Sequence, residues 1–560
     1  MLSDPQISKR QEAFLKNPVD GQALKRLIEA GLTWLRTNQQ GVNALNVFPV
    51  PDGDTGTNMV LTMQAAYEEI AHSPERHLGK MAHAIAHGAL MGARGNSGVI
   101  LSQLLRGFAR ALDKQSFLDS QGLVRAFAAG RDTAYKGVVR PVEGTILTVA
   151  KDSAVAAEEA FIQKGENLIA ILEFIVQAAD ESVQRTPELL AVLKEAGVVD
   201  AGGKGLFYIL EGMLRYINGQ SLETALATVQ PLAAMNLENT LETIEPGQDF
   251  EVVVDFRPDE PLDLVSFYSD LEQMGTSIQV GEGDGIYRMH IHVPTENRYV
   301  PIDYVMHLGT ITKVAMENLI AQMQELEEKC GDGNLNLAPI EPGEIAVVAV
   351  APGAGIARVF GSLGVAAIIE GGQTMNPSTQ EIIHAFENLP TEKIIILPNN
   401  KNILLAAESA AKLTVKKVAV IPSTSVPQGL AAMLRLIPEG DFETVVAEMT
   451  TALDEVETGE ITIANRSVDF ENVEVQEGQI IALHNGKLVL SASSLEDACL
   501  GLLQKAHAAH FELITLFYGA NISKREAFRI ADVIRRVYPE QEIEVQEGCQ
   551  PHYQFIISIE

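Results

Sequence analysis

Two aspartates in one glycine-containing turn are well suited to hold a hard metal ion. The segment 46–58 reads NVFPVPDGDTGTN and carries Asp52 and Asp54 two residues apart. This spacing can place both carboxylates on one side of the turn, and Mg²⁺ typically takes one or two carboxylates together with phosphates and water. Asn46 can add a third oxygen. An acidic surface turn is the alternative, whereas an EF-hand is excluded because its twelfth position is Met63 instead of glutamate.

Two segments next to predicted helices offer groups that bind phosphate. The first opens a helix with hydroxyls and backbone N–H groups, from Thr55, Gly56, Thr57 and Asn58. The second, 92–98 (GARGNSG), precedes an apolar helix. There Gly95 permits close approach of an anion, Asn96 and Ser97 can donate hydrogen bonds, and Arg94 can stabilise charge on a transferring phosphoryl group. A helix–helix turn with an ordinary Asn or Ser cap is the alternative.

Two more glycine-containing loops join predicted helices. They are 199–205 (VDAGGKG) and 141–145 (PVEGT). Neither has the spacing of a Walker loop, which occurs nowhere in the chain, so a P-loop NTPase is not expected. Four such loops in one helical region, one with paired aspartates, indicate a magnesium–nucleotide site at one end of a helical bundle.

The elements that must position these loops follow from apolar spacing. Helical spacing runs from Asp20 to about Gln230 and predicts about eight helices, including 78–91, 98–112, 121–135, 145–163, 168–184 and 206–216. After a polar linker at 236–249, the pattern predicts strands at 250–256, 277–281 and 286–293, with helices at 262–274 and 314–329. Beyond a second linker at 331–342, short apolar runs alternate with helical stretches, which is typical of a parallel α/β sheet.

We therefore predict a multidomain protein with three domains. The first, 1–235, is all-α, and the second, 248–330, is a small α/β domain. The third, 343–560, is α/β and contains two parts, about 343–455 and 456–560.

Composition limits the partners and the location. The net charge of −32 argues against nucleic acid or an anionic membrane surface as a partner, because both attract clustered Lys and Arg. No stretch of the chain approaches the ~18 apolar residues of a membrane span. Three widely separated cysteines predict buried or idle thiols instead of a disulfide framework. These features predict a cytoplasmic protein without integral membrane association.

Several motifs resemble those of bacterial fatty acid kinase ATP-binding subunits, whose first domain is similar to the nucleotide-binding L domain of dihydroxyacetone kinases. The segments that carry the resemblance are NVFPVPDGDTGTNM, GARGNSGVILSQLLRGFA, RPVEGTILTVA, DAGGKGL, EGGQTMNPST, LPNNKNILLAA and VIPSTSVPQGLAAML. The resemblance covers about 20–560. It implies an eight-helix barrel that binds Mg-ATP, a middle domain, and a C-terminal region similar to the DegV-type fold. It also implies a homodimer and a fatty-acid-binding DegV-type partner protein.

The resemblance also assigns roles to residues. Asp52 and Asp54 match the family's metal-binding aspartates. Asn46 stands near the sequence position where dihydroxyacetone kinases have a further aspartate. Nucleotide-contacting loops match Thr55 to Asn58, Ala93 to Ser97, and Asp200 to Gly202, and Thr145 belongs to a similar loop. The implied function is transfer of the ATP γ-phosphate to a fatty acid carboxylate presented by the partner, giving an acyl phosphate.

A histidine pair predicts a second metal site. His290 and His292 alternate on a predicted strand, a spacing that occurs in zinc sites. The family pairs such histidines with a cysteine on the preceding strand, but that strand here reads EVVVD at 251–255. Two solvated or hydrogen-bonded histidines are the alternative. For the whole protein, the alternatives are one chain of a dihydroxyacetone-type kinase and a nucleotide-dependent adapter without turnover.

Overall fold

A computed structural model describes residues 18–46, 53–138, 140–222, 230–231, 247–283, 285–320, 335, 337–373, 375–464, 468–470, 473–476 and 478–560. The chain divides into two compact units, which are described separately. The first unit comprises 1–223, 337–350 and 364–453, and the second comprises 224–336, 351–363 and 454–560. The predicted metal ligand Asp52 lies outside the described residues.

The N-terminal part of the first unit is helical, which confirms the predicted all-α domain. Its helices are α1 Gly21–Thr37, α2 Gln39–Ala44, α3 Thr55–Glu68, α4 Leu78–Met91, α5 Gly95–Leu112, α6 Ser120–Gly137, α7 Ile146–Lys164, α8 Leu168–Leu189, α9 Ala191–Ala196 and α10 Ala201–Asn218. Helix α4 has the predicted bounds, whereas α5 and α10 begin three and five residues before the predicted starts. Closure of these helices into a barrel stays a prediction.

Polar caps and an apolar core explain why these segments are helical. Asp20 caps α1 by accepting a hydrogen bond from the Ala23 N–H at 2.9 Å. Trp34 on α1 is fully buried, and its indole N–H donates to Glu211 on α10 at 2.8 Å. The first and last long helices of the described bundle are thereby joined.

The middle region belongs to the second unit and is an α/β domain. Its elements are β1 Gln230–Pro231, β2 Phe250–Pro258, α11 Leu264–Glu272, β3 Thr276–Gly283, β4 Ile286–Val293, α12 Val300–Met306 and β5 Gly309–Asn318. The strands form one sheet in the order β1-β3-β4-β2-β5. The predicted helix at 314–329 is wrong over 314–318, because this segment continues β5 and pairs antiparallel with β2. Residues 321–329 of that prediction lie outside the described residues.

The C-terminal region begins with alternating strands and helices, as predicted. They are β6 Ile345–Ala351, α13 Ala354–Ser362, β7 Ala367–Glu370, α14 Thr379–Glu387, β8 Lys393–Leu397, α15 Leu404–Lys412, β9 Lys417–Val420, α16 Val426–Met433 and α17 Phe442–Thr451. Strands β6, β8 and β9 are parallel neighbours in a sheet of order β7-β6-β8-β9. All seven residues of β6 are buried, which is typical of a parallel sheet covered on both faces.

The rest of the C-terminal region lies in the second unit, together with α13. Its elements are β10 Glu457–Ile463, β11 Val468–Phe470, β12 Val473–Val475, β13 Ile480–His484, β14 Lys487–Ala492, α18 Leu495–Lys505, β15 Leu513–Tyr518, α19 Lys524–Val537, β16 Glu542–Glu547 and β17 Tyr553–Ile559. Six of these strands form a sheet of order β14-β13-β10-β17-β15-β16. Cys499 is a free, buried thiol, but Cys549 is disulfide-bonded, contrary to the prediction of idle thiols. No helix in the described part of the chain combines the length and hydropathy that a membrane span requires.

Candidate functional site

The carboxylate of Asp54 is the centre of the candidate site. Asp54 immediately precedes α3 and is only 7% exposed, yet its side chain does not cap that helix. Its Oδ2 instead accepts a hydrogen bond from Asn58 Nδ2 at 2.8 Å. Asn46 Nδ2 lies 3.5 Å from Asp54 Oδ1, so the structure brings two of the three predicted magnesium ligands together.

The first turn of α3 packs closely on α2. Thr57 uses its backbone N–H to donate to Asn43 Oδ1, and its hydroxyl accepts from Gln39 and Asn43 at 3.0 and 3.1 Å. A Cβ on Gly56 would lie 2.5 Å from the Gln39 carbonyl oxygen, so this contact requires glycine. Among the predicted phosphate-binding residues of this turn, Thr55 and Asn58 are buried beside Asp54. The packing with α2 therefore fixes where α3 presents its N-terminus.

The second predicted loop brings the N-terminus of α5 to the same place. Gly95 has a φ of +56°, and a Cβ there would lie 2.6 Å from the Asn58 amide nitrogen. Asn96 and Ser97 occupy the first turn of α5 and are half-buried. The N-termini of α3 and α5 thus lie next to one another beside Asp54. Backbone N–H groups and helix dipoles at such ends favour phosphate.

Arg94 connects this end of the bundle to the C-terminal region of the first unit. Its Nη1 donates to the Asn376 carbonyl oxygen at 2.8 Å, and its Nη2 forms a 2.8 Å ion pair with Glu381. Burial alone would raise the pKa of Glu381, but the Ser378 N–H and the Arg94 guanidinium that donate to it hold that pKa below its ordinary value. Glu381 also completes a capping box with Ser378 at the start of α14.

Asn376 reaches the candidate site from the C-terminal region. Its Nδ2 donates to Asp54 Oδ2 at 2.5 Å, and the residue is 3% exposed. Neither Asn376 nor Glu381 was predicted as a site residue. One sequence signal pointed to Asn376, which lies in the segment EGGQTMNPST (370–379) that carries the family resemblance. Glu381 lies two residues beyond this segment.

The third and fourth predicted loops lie against each other. Asp200 caps α10 by accepting from the Gly203 N–H at 2.6 Å. Burial raises the pKa of Asp200 to about 6, although the Gly203 and Ile146 N–H groups, which donate hydrogen bonds to its carboxylate, act to lower that pKa. Thr145 caps α7, and a Cβ on Gly202 would lie 3.3 Å from Ile146 Cβ. These side chains cap helices, and their contact with a nucleotide stays a prediction.

A second group of potential ligands lies in the middle domain. His290 and His292 on β4 and Glu251 on β2 are all buried, and one ligand atom from each lies within 4.8 Å of the others. His290 Nε2 lies 2.7 Å from Glu251 Oε1, and its Nδ1 lies 2.9 Å from the Ser277 carbonyl oxygen. In the described part of the chain, neither ring nitrogen of His292 has a hydrogen-bond partner.

The expected alternative was two solvated or hydrogen-bonded histidines, and His290 is hydrogen-bonded, whereas His292 is buried without such a partner in the described part of the chain. Burial, and then the neighbouring His290, lower the pKa of His292 to about 4, so its ring is neutral near pH 7. Neutral imidazoles with a carboxylate are common zinc ligands. Glu251 was missed because the sequence prediction looked for a thiol on that strand, whereas the strand register places Glu251 opposite His292.

The chain matches three family descriptions along its length. These are the DAK2 domain over residues 49–215, the middle domain of the FakA-like fatty acid kinase proteins over 245–326, and the C-terminal domain of the same proteins over 346–560. Protein YloV of Bacillus subtilis is 38% identical over 557 residues, covering 97% of this chain and 99% of that protein. An uncharacterized protein of Staphylococcus epidermidis is 38% identical over 551 residues, with the same coverage.

Solved structures give a more distant likeness. The dihydroxyacetone kinase of C. freundii shows 21% identity and a TM-score of 0.27, covering 39% of this chain and 38% of that one. The Fak B3 protein of Streptococcus pneumoniae, solved with linoleic acid, shows 15% identity and a TM-score of 0.26, covering 33% and 76%.

Proposed function

Because this chain belongs to the FakA-like fatty acid kinase family, we propose that it is the ATP-binding, catalytic subunit of a fatty acid kinase. In this proposal it transfers the γ-phosphate of ATP to the carboxylate of a fatty acid held by a separate binding protein. The product is an acyl phosphate. The observation that carries the proposal is the buried Asp54 carboxylate beside the adjacent N-termini of α3 and α5.

The donor set suits a magnesium ion. The Asp54 carboxylate accepts hydrogen bonds from the amides of Asn58 and Asn376 and lies near the amide of Asn46, so it is surrounded by side chains that also carry oxygen ligands. Asp52 and Asp54 would hold the ion, with Asn46 as a further oxygen. When bound with ATP, magnesium neutralises charge on the phosphates. Buried Asn376 Oδ1 has no partner in the described part of the chain, which also fits a site that takes a cation.

The two helix N-termini supply the second requirement of phosphoryl transfer. Backbone N–H groups of the first turns of α3 and α5, with Asn96 and Ser97, would orient the phosphates. An oxygen of the fatty acid carboxylate forms a bond to the γ-phosphorus while the bond to the bridging oxygen of ADP breaks. A carboxylate with an ordinary pKa is already ionised at neutral pH, so the chain need not provide a general base.

Partner-dependent ATP consumption tests this proposal. Purified protein is supplied with Mg²⁺ and oleate, with and without a DegV-type fatty-acid-binding protein of the same organism, and dihydroxyacetone replaces oleate in a parallel reaction. We expect turnover that requires both oleate and the partner. Turnover on dihydroxyacetone would support a triose kinase instead, and ATP binding without turnover on either would support a nucleotide-dependent adapter.

The proposal also covers where the lipid is bound, the oligomeric state of the chain and its location in the cell. The lipid would lie in the DegV-type partner, because the predicted site of this chain serves the nucleotide. A homodimer in the cytoplasm completes the proposal. Sedimentation with and without the partner would measure both the dimer and its complex.

Zinc binding by the middle domain is a separate part of the proposal. Glu251, His290 and His292 would hold the ion through a carboxylate and two imidazoles. We expect about one zinc per chain after purification, and removal by a chelator to lower the melting temperature of the middle domain by about 5 °C or more. Metal analysis and thermal unfolding with and without added Zn²⁺ measure these effects.

Matched variants make the zinc prediction specific. Glu251→Gln and His292→Ala are each expected to remove the zinc and the thermal shift, because each loses one ligand. His307→Ala is the control, since His307 is an exposed histidine of the same domain. Full zinc content in the first two variants would contradict this ligand set.

A further inference from the structure

A segment of the C-terminal region is held against the candidate site by contacts that do not involve the Asn376 side chain. The Thr379 N–H donates to the Ala93 carbonyl oxygen at 3.2 Å. Arg94 bonds the Asn376 carbonyl oxygen and pairs with Glu381. Ala93 belongs to the same buried apolar cluster as Ile382 and Phe386 of α14. The backbone at Asn376 is therefore fixed beside the N-terminus of α5, whatever its side chain does.

The Asn376 side chain has one satisfied and one unsatisfied end. Its Nδ2 lies 2.5 Å from Asp54 Oδ2. Its Oδ1 is buried and has no hydrogen-bond partner in the part of the chain that the structure describes. Buried polar atoms without a partner are uncommon in folded proteins, and each requires a physical explanation.

Rotation of this amide would bring its oxygen to the Asp54 carboxylate. A turn of about 180° about the last side-chain bond exchanges the amide nitrogen and oxygen, which have nearly the same shape. The oxygen would then lie beside the Asp54 carboxylate, where the two negative ends repel each other unless a cation lies between them. Amide carbonyl and carboxylate oxygens are both ligands that suit magnesium. The N–H orientation therefore fits a site without a cation, and the oxygen orientation fits a site with one.

We propose that Asn376 is a cation ligand contributed by the C-terminal region to the site on the helical bundle. This inference rests on the proposed function and extends it, because the site then consists of residues from two regions of the chain. Asp54 and Asn376 are 322 residues apart in sequence. Cation affinity then depends on the C-terminal region remaining docked on α5.

Mn²⁺ binding tests this role without measuring turnover. Electron paramagnetic resonance of the full chain, with a non-hydrolysable ATP analogue, gives the Mn²⁺ affinity of each variant. We expect Asn376→Ala to weaken Mn²⁺ binding by about 10-fold. Asn376→Asp keeps an oxygen and adds charge, so we expect it to bind Mn²⁺ as tightly as the unaltered chain or more tightly.

The aspartate variant separates a ligand from a mere hydrogen-bond donor. If Asn376 only donates a hydrogen bond to Asp54, the Asn376→Asp variant loses that donor and places a second carboxylate against the Asp54 carboxylate. It would then bind Mn²⁺ as weakly as Asn376→Ala or more weakly. That result would overturn the inference, as would unchanged affinity in both variants. Asn388→Ala and Asn388→Asp are the controls, because Asn388 is exposed at the other end of α14. If the alanine variant does not fold, the aspartate variant alone decides.

Asp54→Ala distinguishes this inference from the function on which it rests. If Asp54→Ala weakens Mn²⁺ binding and the Asn376 variants do not, the inference on Asn376 fails alone. If Asp54→Ala also leaves Mn²⁺ binding unchanged, the magnesium site at Asp54 fails, and both proposals fail with it.

Discussion

Replacement of Asp54 by alanine is expected to lower the kcat of partner-dependent ATP turnover by about 10³-fold. The buried carboxylate lies between the N-termini of α3 and α5, where the proposal places the magnesium ion and the ATP phosphates. Its loss removes a charged ligand while the amides that contact it remain. A coupled assay of ADP release, with saturating Mg²⁺ and lipid-loaded partner, measures the effect.

Two isosteric variants separate the loss of the charged ligand from an effect on folding. Asp54→Asn keeps the shape of the side chain but removes its charge, and we expect it to lose nearly as much turnover as the alanine variant. Asp119→Asn is the control, because Asp119 is exposed and caps α6, a role that asparagine also performs. It is expected to keep normal turnover. Activity of Asp54→Asn within about threefold of normal would contradict the proposed magnesium site.

Helices and strands whose apolar residues follow a regular local spacing could be predicted from the sequence. Helix α4 and strand β4 have the predicted bounds, because a helical or an alternating spacing of apolar residues marks each of them. The error at 314–318 has a different cause. The segment Val314–Asn318 lies at the edge of the middle sheet and gains its structure by pairing with β2, a contact that local spacing does not encode.

The same distinction separates the site residues that could be predicted from those that could not. Asp54 and the loop before α5 could be identified because carboxylates, glycines and helix starts are adjacent in sequence. Asn376 and Glu381 could not, since they reach the site from positions 322 and 287 residues away from their partners. Glu251 was missed because its position opposite His292 depends on strand register.

Arg94→Ala is expected to lower kcat by about 10²-fold, the second largest effect among these predictions. Arg94 immediately precedes α5, and its guanidinium is bonded to Asn376 and Glu381. It therefore has two candidate roles, which are charge stabilisation on the transferring phosphoryl group and docking of the C-terminal region. Arg94→Lys keeps the charge but cannot contact Asn376 and Glu381 at the same time through two nitrogens. We therefore expect it to keep more turnover than Arg94→Ala but less than the unaltered chain.

Glu381→Gln distinguishes the two roles of Arg94. If Arg94 acts on the phosphoryl group, it must leave Glu381 during the reaction, and loss of that carboxylate should preserve or raise kcat. If Arg94 acts by docking, Glu381→Gln should lower kcat and Mn²⁺ affinity together, in the same direction as Arg94→Ala. Arg185→Ala is the control, since Arg185 forms a 2.8 Å ion pair with Asp152 on the same helical domain. Because the Arg94–Glu381 pair is partly exposed, high salt should weaken it and reproduce part of a docking defect.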